Sequence, residues 1–165
     1  MSDLSKIILG TGNYYDVKSG NTVSVTGDGG NAWGYFGPAY KKYDLFLIAL
    51  VNNKYAGHIY GIYVGDLFYF DVIIVKDEYR NKSIATKIIE KTIEILKHNN
   101  FKTIVTTVEN LNNFENHLIP LLEKYNFEKI TNIKGYWGTL YPEVLCNECN
   151  SKPCKCVATI YLKKI

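Results

Sequence analysis

From Asp44 onward the apolar positions fall into blocks with readable periods. Three blocks dense in Val, Ile, Leu and aromatic residues, Asp44–Asn52, Lys54–Tyr63 and Asp66–Val75, are separated by Asn52-Asn53 and Gly65-Asp66. Such dipeptides favour the tight turns of hairpins, so the three blocks predict an antiparallel meander. After Val75 the period changes. Ile84, Ala85, Ile88, Ile89, Ile93 and Leu96 recur at helical spacing, which predicts an amphipathic helix over Ser83–His98. Glu90 and Glu94 lie one turn apart on its solvated side, and Asn99-Asn100 marks its end. Thr103–Val108 reads as a strand, apolar enough to sit centrally. Asn112 or Asn113 can cap a second helix running to about Tyr125. Pro120 interrupts it, so its first part is expected to be a separate turn or a kinked piece. Phe127–Ile133 and Val157–Lys163 complete the strands, with residues 134–156 between them read as irregular.

Residues 1–43 have another texture. Gly10, Gly12, Gly20, Gly27, Gly29, Gly30, Gly34 and Gly37 punctuate short β-prone pieces such as Lys6–Leu9 and Thr22–Thr26. No helical period is visible there, so short strands and loops are expected. Gly27-Asp28-Gly29-Gly30 reads as a turn rather than a phosphate loop, because no helix pattern follows it. There is no internal repeat and no low-complexity linker.

The totals bound the answer. A chain of 165 residues, 47% hydrophobic and 21% charged, fits one compact domain over residues 1–165 with a core of its own. A net charge of +3 is compatible with an anionic cofactor but does not argue for a nucleic-acid partner. No apolar run approaches the roughly 18–20 residues of a membrane span, so no membrane partner is expected. Met1–Lys6 is polar and lacks a signal peptide's apolar region; the expected location is cytoplasmic.

Two stretches carry candidate chemistry. In Asp71–Glu90 an apolar strand runs through a short polar turn straight into a helix. The unpaired N–H groups of that helix's first turn then face whatever lies beyond the strand end, an anion site suited to phosphates. The second stretch holds all four cysteines, Cys146, Cys149, Cys154 and Cys156, with spacings of two, four and one residues. Zn²⁺ takes four soft thiolates in a tetrahedron, and a closed set of four leaves no open position for catalysis, so the loop 146–156 reads as a structural zinc site. Two disulfides, free thiols and an iron–sulfur cluster are the other readings of the spacing. Against zinc, the one-residue gap would point Cys154 and Cys156 to opposite sides if the last strand had already begun.

The order of elements, with Arg80-Asn81-Lys82-Ser83-Ile84-Ala85 at the basic turn, resembles the GCN5-related N-acetyltransferase family. That family's signature is a Gln or Arg, two variable residues, Gly, one variable residue, then Gly or Ala. The resemblance covers about Tyr43 to Phe127 and includes Leu121–Phe127, similar to the family's second-helix ending, where Gly-Phe is usual. It implies an α/β fold of the acetyltransferase type: a mixed sheet built from the meander and then β-α-β-α-β-β, here with a divergent β-rich N-terminus and a Cys₄ loop. It implies acetyl-coenzyme A as co-substrate and an amine as acceptor. The main-chain N–H groups of Asn81, Lys82, Ser83, Ile84, Ala85 and Thr86 would hold the pyrophosphate, with Arg80 adding charge and forked donors. Ser83 departs from the family's Gly; its hydroxyl can instead cap the helix. The backbone of Ile73, Ile74 and Val75 would line the pantetheine arm, and Asn113 resembles a cofactor-contacting Asn.

Acetyl transfer needs a neutral amine, a polarised carbonyl and a proton for the leaving thiolate. Asp71 interrupts an apolar strand at about the place of a catalytic Glu in some relatives; the alternative is an Asp at a strand bulge or on a solvated face. His58 is a second candidate base, acting through water. Leu122 stands where many relatives carry a proton-donating Tyr, leaving Tyr125, three residues on, as candidate acid. Tyr35–Tyr40 and Tyr136-Trp137-Gly138 either line an acceptor pocket or fill the core. The rival reading is a module that binds acyl-coenzyme A and a partner without turnover, carrying the zinc loop. A zinc-assisted nucleic-acid binder, with Lys152, Lys155, Lys163 and Lys164 near the cysteines, is weaker. The acceptor is unidentified, and a homodimer is an open expectation.

Overall fold

A computed structural model describes residues 4–9, 13–16, 22–24, 44–52, 54–110 and 117–165. Two compact units make up the chain, Met1–Lys102 with Ile165, and Thr103–Lys164.

In the first unit the expected meander forms β4 (Leu45–Val51), β5 (Lys54–Val64) and β6 (Leu67–Val75). Asn52 and Gly65 both take the left-handed region, φ 50° and 59°, which the tight connections require. β1 (Leu4–Leu9), β2 (Asn13–Asp16) and β3 (Thr22–Ser24) extend the sheet beyond β4 in the order β3-β2-β1-β4-β5-β6, every neighbouring pair antiparallel. β1 and β3 overlap the two β-prone pieces read in the sequence; the Gly27–Gly30 turn lies outside the described residues.

Two bulges set which side chains share a face. Ala49 opposes Gly57 but Leu50 opposes Tyr55, so Ala56 is an extra residue on β5. The alternation therefore slips by one, and Tyr55 joins His58 and Tyr60 on one face. Tyr60 opposes Val72 while Gly61 opposes Phe70, which makes Asp71 the extra residue on β6. On the other face Leu47, Ala49, Ile59, Phe68 and Phe70 are buried. Helix α1 (Ile84–His98) contacts β4, β5 and β6 and buries Ile84, Ile88, Ile89 and Leu96 of the predicted stripe together with Lys91 and Thr92, while Ala85 and Ile93 are only half-buried. At Gly61 the strands close so tightly that a Cβ would stand 2.2 Å from the Tyr69 carbonyl oxygen, so only glycine fits. Asn99-Asn100 ends the helix as expected. Asn100 is left-handed, φ 62°, and Phe101 N–H returns to the Leu96 carbonyl at 2.9 Å, a Schellman closure.

The second unit orders β7 (Thr103–Asn110), β9 (Val157–Lys164) and β8 (Glu128–Lys134) as β7-β9-β8, again antiparallel. α2 spans Leu118–Lys124 and closes with the same device, Asn126 at φ 59° and Phe127 N–H on the Leu122 carbonyl at 2.9 Å. Pro120 falls in the first turn of α2, where its missing N–H has no intrahelical partner to lose; the stretch expected to precede it as a separate or kinked piece lies mostly outside the described residues. Asn112 and Asn113, the expected caps, lie outside the described residues. The segment 134–156 is less irregular than its sequence suggests. Lys134 is the last residue of β8, and α3 (Tyr136–Leu140) follows Gly135, whose left-handed φ of 64° turns the chain into it. Apart from α3, the order of meander, helix, strand, helix, strand, strand is the expected one, and the α/β class is borne out. No described helix is long and apolar enough to cross a membrane.

Candidate active site and metal centre

The turn after β6 is built from the main chain outward. Lys76 N–H donates to the Ala56 carbonyl at 2.8 Å, which holds the chain on β5 one residue past the strand. Asp77–Tyr79 then makes a single 3₁₀ turn, closed by Arg80 N–H on the Asp77 carbonyl at 3.2 Å. The Arg80 guanidinium folds back: Nε donates to the Val75 carbonyl at 3.2 Å, and Nη2 meets Asp77 Oδ1 at 2.9 Å. Its side chain stays half exposed, so part of its donor fork faces solvent beside the strand end.

Asn81 and Ser83 both take left-handed backbone, φ 59° and 60°, and these two reversals lead the chain into α1. The first helical bond runs from Lys87 N–H to the Ser83 carbonyl at 3.1 Å. Among the described residues no protein acceptor pairs with the N–H groups of Ile84, Ala85 or Thr86. The Ser83 hydroxyl makes no capping hydrogen bond, which corrects that expectation: with φ positive the residue lacks the extended backbone of an N-cap. Three unpaired donors at the positive end of a four-turn helix, with Arg80, Lys82 and Lys87 close in sequence, make a candidate anion site. Lys82 Nζ rests 5.7 Å from the centre of the Tyr79 ring. Of the strand-end residues, Ile73 and Val75 are half-buried, and Ile74 is exposed.

Asp71 takes the bulge position, one of the two places its sequence suggested; its side chain is not among those described. His58 lies opposite Ile74 in the register and is buried. The Tyr55 hydroxyl and His58 Nδ1 are 2.5 Å apart, and the rings of Tyr55 and Tyr60 flank the imidazole at 5.9 and 5.4 Å. Burial pushes the imidazole down to about 4 and the Tyr55 phenol up to about 12. Near neutrality His58 is therefore uncharged and Tyr55 keeps its proton, and the two share one hydrogen bond between the phenol oxygen and Nδ1. Tyr55 was not singled out in the sequence, because only the Ala56 bulge brings it to the face of His58.

Tyr125 caps the C-terminus of α2 and is half-buried, its ring 5.6 Å from Lys124 Nζ. Leu122 is fully buried. Asn113 lies outside the described residues.

The four cysteines converge. Their Sγ atoms all lie within 4.8 Å of one another, with Cys146 to Cys156 at 3.8 Å and Cys149 to Cys154 at 3.9 Å. A Zn–S bond of about 2.3 Å gives a tetrahedral S–S edge of about 3.8 Å. Disulfides, with sulfurs about 2.05 Å apart, are absent from the four. The objection from the one-residue gap falls away, since β9 begins only at Val157 and residues 154–156 are not yet strand. Burial raises the thiols of Cys154 and Cys156, and for Cys156 a hydrogen bond with Glu109 adds to it. Glu109 had no signal in the sequence, since its approach depends on β7–β9 pairing. Cys149 goes the other way, down to about 6, chiefly because Lys155 N–H donates to its sulfur. The donor set suits a soft dication that compensates clustered thiolate charge.

A search of curated protein sequences gives no match. Solved structures give many. The ribosomal-protein-S18-alanine N-acetyltransferase of Escherichia coli is 21% identical at a TM-score of 0.58, over 73% of this chain and 68% of that one. An IAA acetyltransferase from Bacillus cereus is 14% identical at 0.62, over 80% and 84%. A GNAT family acetyltransferase from Elizabethkingia anophelis, solved with acetyl-CoA bound, is 19% identical at 0.61, over 76% and 79%. At these identities the likeness establishes the fold. The sequence model of the Acetyltransferase (GNAT) family matches residues 30–127, a span that includes the whole strand–turn–helix anion site, and the chain belongs to that family.

Proposed function

We propose that the protein transfers the acetyl group of acetyl-coenzyme A to a primary amine by direct attack in a ternary complex, in the cytoplasm. The observation that carries this reading is the set of unpaired N–H groups at Ile84, Ala85 and Thr86, presented by the left-handed turn behind Arg80. In this reading the amides of residues 81–86 and Arg80 hold the pyrophosphate. The main chain of Ile73, Ile74 and Val75 lines the pantetheine arm, and Asn113 adds a cofactor contact. The amine nitrogen attacks the thioester carbon, the C–S bond breaks, and the thiolate leaves with a proton from Tyr125 or solvent. Asp71 removes the proton from the attacking amine. His58 is the weaker base, since a group held near 4 by burial gains a proton poorly at neutral pH. The Cys₄ loop holds a structural Zn²⁺ that supplies no chemistry to the transfer.

Calorimetric titration with acetyl-coenzyme A tests the cofactor assignment. An Arg80→Ala variant is expected to bind roughly 10- to 150-fold more weakly, the loss of a charge-assisted hydrogen bond worth about 1.5–3 kcal/mol. Unchanged affinity would remove Arg80 from the site. The second reading, a module that binds acyl-coenzyme A without turnover, is favoured by Leu122, an apolar side chain fully buried where the family's acid is usual. Thiol release from acetyl-coenzyme A across a panel of amines separates the two: turnover selects the enzyme, binding without turnover the module, and no binding ends both. Elemental analysis of protein purified without added metal is expected to find one zinc per chain. Four freely titrating thiols and no metal would end the zinc assignment.

A further inference from the structure

We infer that metal held by the four cysteines is what folds α3, so that metal occupancy decides whether the Tyr136–Trp137 pair is presented as an ordered shelf. This rests on the reading of the cysteine loop as a metal centre.

The burial pattern makes the case. Between Gly135 and Cys156 only Gly138, Cys154 and Cys156 are buried. Two of those three are metal-ligand candidates and the third has no side chain. Of the segment's large apolar residues, Tyr136 and Trp137 are only half-buried, and Leu140, Tyr141, Val144 and Leu145 are all more than half exposed. No large side chain of the stretch apart from its cysteines is fully buried, so hydrophobic burial offsets only part of the entropy lost on ordering it. A helix of five residues is also far below the length at which helices persist alone.

What holds α3 is the backbone of the ligand residues. Gly135 N–H donates to the Cys156 carbonyl at 3.0 Å. Gly138 packs so closely on Cys154 that a Cβ would come 2.2 Å from its carbonyl oxygen. Helix and ligand loop thus meet main chain to main chain, at the two cysteines that are buried. Four sulfurs drawn to one ion fix Cys154 and Cys156 in place, and with them the seat of α3. Tyr136 and Trp137, half-buried and packed edge to face at 5.4 Å, ride on that seat.

Hydrogen exchange on the full chain tests this. The reporters are the amides of Thr139 and Tyr141, which bond to the carbonyls of Gly135 and Trp137. With one Zn²⁺ bound they are expected to exchange slowly. After stripping by a chelator under reducing conditions they should exchange at least about tenfold faster, with the amides in the middle of α1 unchanged, and added Zn²⁺ should restore them. A Cys149→Ser chain should show the same loss without chelator; should that variant unfold, the chelation arm decides alone. Full protection at Thr139 and Tyr141 in the stripped protein overturns the inference while leaving the metal centre standing. Equal loss in α1 overturns it too, because the metal would then act as a general stabiliser. A chain that takes up no Zn²⁺ on titration ends both this inference and the metal reading beneath it.

Discussion

Left-handed backbone is unevenly assigned in this chain. Among the described non-glycine residues, Asn52, Asn81, Asn100, Asn126 and Asn150 take positive φ, and Ser83 is the one that is not asparagine. Asparagine tolerates this region because its short amide replaces some of the backbone's local hydrogen bonding; serine has no such advantage and carries a strain of order 1 kcal/mol or more. Ser83→Gly should therefore raise stability in urea by about 0.5–1 kcal/mol while leaving acetyl-coenzyme A affinity intact, since the site uses main-chain groups there. A loss of stability would mean that the hydroxyl has a partner worth more than the strain. His58 makes a second residue-scale prediction. Its pKa is about 4 in the fold against an ordinary 6.5, so between these values the unfolded chain binds a proton that the native chain does not. Stability is then complete above pH 6.5 and falls as the pH drops towards 4, by about 3 kcal/mol over the window. His58→Phe keeps an aromatic ring between Tyr55 and Tyr60 and should flatten that slope in pH-dependent urea titrations; an unchanged slope would place the acid sensitivity elsewhere.

At the scale of elements, legibility follows length and period. The hairpin turns at Asn52 and Gly65, the stripe of α1 and the Asn99-Asn100 stop were all readable, because each leaves several residues in a pattern. The bulges at Ala56 and Asp71 were not, since one extra residue in an apolar strand changes neither composition nor period. Yet they decide that Tyr55 meets His58 and where Asp71 stands. α3 was invisible for a related reason: five residues are too few for a period, and its supports are carbonyl and amide groups that every residue owns. Those supports give a prediction with an unusual sign. Within a helix, glycine to alanine gains roughly 0.8–1 kcal/mol from propensity. Gly138→Ala should instead destabilise the zinc-loaded protein and weaken zinc retention against a competing chelator, because the new methyl meets the Cys154 carbonyl oxygen. A stabilised variant with unaltered zinc retention would show that α3 does not lean on the ligand loop.

For the whole molecule, the candidate pyrophosphate site and the cysteine cluster fall in different compact units. The strand–turn–helix that would hold coenzyme A lies within Met1–Lys102, and the four cysteines lie within Thr103–Lys164. The family was legible chiefly in the first unit, where Arg80 to Ala85 carry the signature, with Leu121–Phe127 in the second unit agreeing with it. The cluster of four cysteines was legible from their spacing alone. What neither provides is the acceptor, because side-chain recognition of an amine has no period and no fixed motif. The separation does, however, give the two ligands distinct signatures. A ligand that binds only the native chain adds about 2.7 kcal/mol at a hundredfold excess over its Kd. If acetyl-coenzyme A binds as proposed, the added protection against hydrogen exchange should concentrate at the end of β6 and the first turns of α1. Zinc removal should be read first between Gly135 and Cys156. Protection by acetyl-coenzyme A confined to the cysteine loop would contradict the anion site at α1. Protection that requires zinc to be bound would show that the two units respond as one, with the metal supporting the cofactor site.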